Sequence, residues 1–284
     1  MSKTYSLGID IGGTKMSAVL FDGRRVVADD TLATPKDNLE HFLVMITALV
    51  EPLLEKARAA KAKVKGVGLG VAGVINYEEG RMLHSPNIPI IDNVKLAEEV
   101  AARLEMPVVM DNDANCFLRA EMRLGAGRGY TNAYGLIVGT GIGGAWWRDG
   151  EVYRGAHGGA GEPGEMIIDF DSFIGLEEAY HKLTQSNPAQ LAEEAYRGDV
   201  LAEKVFAEIG QMLGLAMANI VNIVDPEIII LGGGVIASAD LFLNKSKKVM
   251  RAHIQSSEAA KKIKVSKSKL GAPAGAIGAA LLLD

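Results

Sequence analysis

Cys116 is the only cysteine in 284 residues, which excludes an internal disulfide and a thiolate zinc cluster. Positive charge is not in excess either. The net charge of −5 gives no general attraction to nucleic acid or to an anionic membrane. No signal peptide opens the chain, and no apolar run reaches roughly 18 residues, the length that reads as a membrane helix. A cytoplasmic location is therefore expected, with neither membrane nor nucleic acid as partner, and the match of Asn244-Lys-Ser246 to a glycosylation sequon is accidental. No stretch rich in proline, glycine or serine separates independent domains. The remaining composition, 48% hydrophobic and 23% charged, describes a folded protein long enough for two lobes, each with its own core. One segment departs from the average. Lys245 to Lys269 is rich in lysine, and a solvated helix face followed by an edge strand is favoured over a polyanion site.

Two glycine–threonine loops carry most of the information: Asp10-Ile-Gly-Gly-Thr-Lys15 and Gly139-Thr-Gly-Ile-Gly-Gly144. Each follows an apolar, β-branched run and suits a tight hairpin turn. Glycine lets a backbone approach a ligand closely. Successive N–H groups form a nest for phosphate oxygens, to which Thr14 and Thr140 add hydroxyls. Two such loops in equivalent strand–turn–strand units suggest a duplicated domain that holds one polyphosphate from both sides. The second loop formally matches the dinucleotide fingerprint, but that fingerprint needs a helix directly after the glycines. Ala145-Trp-Trp147 reads as a strand instead. The first is a near miss to a Walker A loop, with Thr14 and Lys15 in the wrong order.

Tyr5 to Ile11 reads as a strand, Met16 to Phe21 as its hairpin partner, and Val26 to Thr31 as a third strand beyond an Asp22-Gly23 turn. Phe42, Ile46, Val50, Leu53 and Leu54 predict an amphipathic helix over Leu39 to Ala60. A buried strand, Val67 to Val71, a helix, Leu96 to Leu104, and a strand, Pro107 to Met110, lead to Asp111. The second strand–hairpin–strand begins at Ala133. A helical stretch from Leu176 to Asn222, a strand from Ile228 to Leu231 ending in Gly232-Gly-Gly234, and a closing helix from Gly275 to Leu283 follow. This alternation implies an α/β fold with two related lobes. The expected division is 1-115 plus 271-284 for the smaller lobe and 116-270 for the larger.

Asp111-Asn-Asp-Ala-Asn115 stands where a buried strand ends, a common position for reactive groups in α/β folds. Capping of a helix starting near Phe117 accounts for one of its four polar groups. A sugar hydroxyl needs an aligned acceptor to become a nucleophile; Asp113 is the candidate base, and Asn112 a candidate hydroxyl contact. In Gly155-Ala-His-Gly-Gly-Ala-Gly-Glu-Pro-Gly-Glu165, the carboxylates of Glu162 and Glu165 suit neighbouring sugar hydroxyls. No histidine pair accompanies them, and His157 reads as a loop residue.

At these residues the chain resembles the ROK family of bacterial sugar kinases and repressors, within the actin-like ATPase superfamily. The resemblance implies a duplicated ribonuclease H-like fold, two lobes with a central cleft. Asp10, Gly12, Gly13, Thr14 and Lys15 match the first phosphate motif, and Gly139 to Gly144, with Thr140 and Gly141, match the second. Gly232, Gly233 and Gly234, preceded by Asp225-Pro226, are similar to the adenosine motif. Gly73 belongs to the sugar loop, though Ala72 replaces its usual proline. Pro86-Asn87 matches the Pro-Asn sugar contact, Asp113 falls on the catalytic base, Glu162 on the first sugar-binding glutamate and Glu178 on the second. Glu165 stands where the family usually has a zinc-binding histidine, and the cysteine-rich segment that normally follows is missing. No zinc site is therefore expected, and Glu165 keeps a sugar contact as an acceptor.

The resemblance implies transfer of phosphate from ATP to a hexose at a primary hydroxyl, with Asp10 orienting Mg²⁺ through water. Glucose is the first choice of sugar; fructose, N-acetylmannosamine or another N-acylated hexosamine are the alternatives. Another nucleotide or polyphosphate remains open as donor. The non-enzymatic alternative is a sugar or nucleotide sensor that retains the fold, against which Asp113 and both intact phosphate loops argue. Family repressors carry an N-terminal helix-turn-helix. Here a strand begins a few residues after Met1, so no DNA-binding segment is expected. A homodimer is expected from the prevalence of twofold assemblies.

Overall fold

The computed structural model describes residues 3–169, 171–185 and 187–284. They form two units. The first contains residues up to Gly125, Arg154–Gly159 and Leu270–Asp284; the second contains Ala126–Tyr153 and Ala160–Lys269.

In the first unit β1 (Thr4–Ile11), β2 (Lys15–Phe21) and β3 (Val26–Ala33) precede α1 (Leu39–Ala59), β4 (Lys63–Val71), a small hairpin of β5 (Val74–Asn76) and β6 (Arg81–His84), α2 (Leu96–Leu104), β7 (Val108–Asn112) and α3 (Asp113–Leu124). The second contains β8 (Asn132–Val138), β9 (Ile142–Arg148), β10 (Glu151–Val152), the short pair β11 (Ile167–Asp169) and β12 (Ile174–Gly175), α4 (Leu176–Thr184), α5 (Pro188–Tyr196), α6 (Val200–Val224), β13 (Ile228–Gly232), α7 (Leu243–His253), α8 (Ser257–Lys262) and β14 (Lys264–Lys267). The chain then returns to the first unit as α9 (Ala274–Ala280).

The two main sheets share one plan. Their strand orders are β3-β2-β1-β4-β7 and β10-β9-β8-β13-β14. In each, three strands meander antiparallel and the remaining two continue parallel to the first of them. That repetition is what the two glycine–threonine loops announced: each closes the first hairpin of its sheet. The fold is mixed α/β, as the alternation of elements predicts.

Three details differ from the sequence reading. Helix α3 starts at Asp113 rather than near Phe117, because the Asn112 side chain accepts from the amides of Ala114 and Asn115 and caps it. The stretch from Leu176 onwards is three helices, with Asn187 and Asp199 capping the second and third. By length and composition α6 could cross a membrane, although the sequence offers no long unbroken apolar run; more than half of that stretch is buried inside the protein, as in a core helix.

The central strands of the first unit have two unlike faces. Leu7, Ile9 and Ile11 of β1 and Val67, Leu69 and Val71 of β4 join Phe42, Leu43, Ile46 and Leu49 of α1 in one buried core. The intervening residues are small, Gly8 on β1 and Gly68 and Gly70 on β4, and against them lies backbone. A Cβ on Gly8 would stand 1.9 Å from the carbonyl oxygen of Ala276, one on Gly68 1.8 Å from that of Ala279, and one on Gly278 1.7 Å from that of Cys116. Helix α9 is therefore wedged between the sheet and α3 at a distance that only hydrogen side chains permit. Cys116 is fully buried in this wedge, and burial pushes its thiol well above its usual range. Gly278→Ala should destabilise the protein at the upper end of the roughly 1–3 kcal/mol that overpacking costs, or beyond it. Gly159→Ala, where a Cβ would meet nothing within 4 Å, serves as the control. Thermal unfolding of both variants checks this, and equal melting temperatures would contradict it.

Candidate active site

Strands β1, β4 and β7 run parallel and end at one edge of their sheet, where loops present polar groups to a ligand. Asp10, Gly70 and Asp111 lie side by side in register across that edge. Asp10 projects from the glycine face: a Cβ on Gly275 of α9 would lie 2.5 Å from its Oδ2. Burial, then the charge of Asp113, pushes Asp10 up to about 7, against the pull of Lys15. Among the described residues no hydrogen-bond donor acts on it to offset this.

The loop after Asp10 is a tight turn, closed by the Gly12 amide donating to the Lys15 carbonyl at 3.0 Å. Thr34, just beyond β3, braces it with a hydroxyl donated to Gly12 O at 2.7 Å and an amide donated to Thr14 O at 3.0 Å. Thr14 and Lys15 themselves are exposed. A Cβ on Gly13 would come within 2.6 Å of that of Asn87, so the predicted sugar-contacting asparagine packs on the predicted phosphate loop.

Asp113 is the first residue of α3 and half-buried. Its Oδ1 accepts from the Ala114 amide at 2.9 Å, and the amide of Asp113 itself also acts on the carboxylate. Burial raises its pKa, and the amides of Ala114 and of Asp113 itself oppose the rise. Asn112 is occupied at both ends of its carboxamide: Oδ1 accepts from Ala114 N at 2.8 Å, and Nδ2 donates to Gly73 O at 3.2 Å. Gly73 adopts φ +131°, and a Cβ there would sit 2.2 Å from the His84 carbonyl oxygen. Behind this edge Asp111 is fully buried. It accepts from Arg154 Nη2 at 2.6 Å, Arg119 Nη2 at 3.1 Å and Asn115 Nδ2 at 2.8 Å. The Arg154 guanidinium lies 4.5 Å from the centre of the Tyr77 ring.

In the second unit the Gly139–Gly144 loop and Gly232–Gly234 also share one edge. Strands β8 and β13 are parallel with Gly232 opposite Ile137, and a Cβ on Gly233 would fall 2.2 Å from the Val138 carbonyl oxygen. Helix α4 braces the loop: the Glu177 carboxylate accepts from the Ile142 amide, the His181 ring meets the Thr140 carbonyl, and Tyr180 donates to Gly139 O at 3.3 Å. A Cβ on Gly141 would lie 2.5 Å from Glu177 Oε2. Glu178 is on the outer face of α4, exposed and paired with Lys182 at 2.8 Å. The glutamate that meets a predicted site loop is its neighbour Glu177. Glu162 precedes and Glu165 ends a short 3₁₀ turn, and both are exposed; the charge of Glu162 adds to burial in raising the pKa of Tyr134.

A family model described as the ROK family matches residues 6–284. The chain belongs to the ROK family. Its relatives include an N-acetylgalactosamine kinase of a Shewanella species, 32% identical and aligned over 97% of this chain and 95% of the relative. An N-acetyl-D-glucosamine kinase of Mannheimia succiniciproducens is 30% identical over 97% and 98%. Among solved structures, the ROK family glucokinase of Streptomyces griseus in complex with glucose and AMPPNP superposes with a TM-score of 0.84 at 28% identity, covering 98% of both chains.

In this ROK chain the structure brings together Asp10, Gly13, Asn87, Gly73, Asn112 and Asp113 in one unit, and Thr140, Gly141 and Gly232 to Gly234 in the other. Sequence reasoning missed the supports: Thr34, Tyr77, Arg119, Arg154, Glu177 and His181. Lone arginines and a threonine carry no pattern. Glu177 was within reach, because a helix starting at Leu176 turns adjacent glutamates to different sides.

A divalent cation fits Asp10. The ligand set is hard carboxylate oxygen with no competing protein donor, beside a second carboxylate whose repulsion a cation relieves. Without a cation, the folded protein keeps the Asp10 proton up to about pH 7, whereas the unfolded chain loses it near pH 4. Between these values the folded state binds more protons, so Asp10 lowers stability as pH rises through that window. Asp10→Asn should therefore gain melting temperature over the native protein progressively from pH 5 to pH 7. A gap that stays constant with pH contradicts the assignment.

Proposed function

We propose that this protein transfers the γ-phosphoryl group of ATP to a primary hydroxyl of a hexose, with Asp113 as general base. The carrying observation is Asp113 itself: a half-buried carboxylate at a strand edge, with a pKa raised by burial, no cationic partner among the causes of its shift, and a second carboxylate and a glycine–threonine loop beside it. Asp113 takes the hydroxyl proton as the sugar oxygen attacks the γ-phosphorus, and ADP leaves. A raised pKa brings the base nearer the working pH, where proton transfer is most effective. The backbone amides and hydroxyls of Gly12, Gly13 and Thr14 and of Thr140 and Gly141 are assigned to the phosphates, Lys15 to their charge, and Gly232, Gly233 and Gly234 to the adenosine. Mg²⁺, when bound, would neutralise phosphate charge, and Asp10 would hold it through water. AMPPNP bound to the Streptomyces griseus glucokinase supports ATP as donor.

Gly73, Asn87, Asn112, Glu162 and Glu165 are assigned to the sugar. Glu178 would have to leave its ion pair with Lys182 to join them. Glucose is the first reading of the sugar. An N-acetylhexosamine is the second, favoured by the N-acetylgalactosamine and N-acetylglucosamine kinases among the relatives. Cytoplasmic location, a homodimer and the lobe boundaries at 115 and 270 remain part of the proposal.

The test is ADP release with MgATP against a panel of hexoses and N-acetylhexosamines. Sugar-dependent turnover should fall by about 10²–10⁴ in Asp113→Asn, the usual weight of a general base, with sugar binding retained. Full activity in the variant would overturn the role of Asp113. Sugar and nucleotide binding without turnover in the native protein would overturn the kinase and support a sensor.

A further inference from the structure

The lysine-rich segment is not used by the proposed reaction. In the structure it closes the second unit's sheet, and α7, α8 and β14 border an open depression of about 520 Å³. Lys247 and Arg251 lie one turn apart on α7, Lys261 and Lys262 end α8, and Lys264 opens β14; all five line the depression together with Tyr130. Among the described residues no acidic side chain lines it. Two of the cations have partners. Lys262 pairs with Glu258 at 2.6 Å, both side chains well exposed, a contact worth little in water. Lys264 donates to the Tyr130 hydroxyl at 2.9 Å, which leaves that hydroxyl its own proton to donate. Among the described residues Lys247, Arg251 and Lys261 have no ion pair.

The backbone adds a donor. β14 is an edge strand. The Lys264 and Ser268 amides donate inward, to Glu227 O at 3.2 Å and Leu231 O at 2.8 Å. By alternation the amide of Val265, another lining residue, points to the open edge. The depression lies at the opposite end of the strands from the predicted nucleotide loops. Ile228, the first residue of β13, lines it, while Gly232 to Gly234 follow the last, some ~13 Å along the strand.

We propose that this depression is an anion site, separate from the phosphate loops, for a small molecule carrying two or more phosphate groups. Five cations around so small a volume repel one another until an anion is seated among them. The chain as a whole carries −5, so this basic cluster is a local departure from the overall charge. A small ligand inside it is governed by charges within a Debye length of roughly 10 Å.

Inorganic tripolyphosphate is the probe, titrated calorimetrically into the full chain at low ionic strength without nucleotide. The native protein and a Thr14→Ala/Thr140→Ala variant should share a binding event that weakens as salt is added. Arg251→Glu/Lys261→Glu, at two exposed positions, should weaken it by about tenfold or more, with melting temperature and sugar-dependent ADP release unchanged. The proposal is overturned if the native protein does not bind the probe, if charge reversal leaves binding intact, or if the threonine variant abolishes it. Tighter binding of a short DNA duplex than of tripolyphosphate would overturn the small-ligand assignment.

Discussion

The architecture of the first unit depends on the absence of side chains along one face of a sheet. Gly8, Gly68 and Gly278 let α9 touch β1, β4 and α3 backbone to backbone. Close contact of that kind excludes water and adaptable side chains, so it fixes relative positions more tightly than a layer of leucines would. Its consequence for function is local. The same wedge brings Gly275 against the Asp10 carboxylate and sets the first turn of α3, where Asp113 begins, beside Gly70. The opposite face of the strands carries the ordinary hydrophobic core against α1. One face supplies stability by burial and the other supplies placement.

Three carboxylates meet at the edge of this sheet, and the protein treats them differently. Asp111 is fully buried, paired with two arginines and hydrogen-bonded by an asparagine, as a buried charge requires. Asp113 receives only backbone amides, those of Ala114 and of Asp113 itself, and Asp10 no hydrogen bond among the described residues. Their raised pKa values are the signature of charge left uncompensated by the fold. In the second unit the corresponding loop is shaped by Glu177, Tyr180 and His181 of α4.

The fold was legible because its signals are local and periodic. Alternation of large residues with glycine in Leu7-Gly-Ile9 and Val67-Gly-Leu69, and helical spacing over α1, are visible in the chain. The duplicated strand order follows from two loops of the same kind in the same place. Asp10, Asp113 and Asn87 were legible as motif members. The rest depended on contacts remote in sequence. Arg154 reaches Asp111 across 43 positions and Glu177 reaches Ile142 across 35. The short hairpin of β5 and β6 is too brief to show a period. Asn112 shows a second limit: a residue type suited to a sugar hydroxyl is equally suited to a helix cap, and only geometry shows that it caps α3.

We propose that Asp10 and Asp113 form a site whose charge is completed by a metal–nucleotide complex rather than by the protein. Calorimetric titration of MgATP near pH 7, in buffers of different ionisation enthalpy, tests it most directly. Binding should release protons from the native protein as the cation draws Asp10 into its ionised form, and this release should be absent in Asp10→Asn. Heats independent of the buffer, or equal proton release in the variant, would contradict the account.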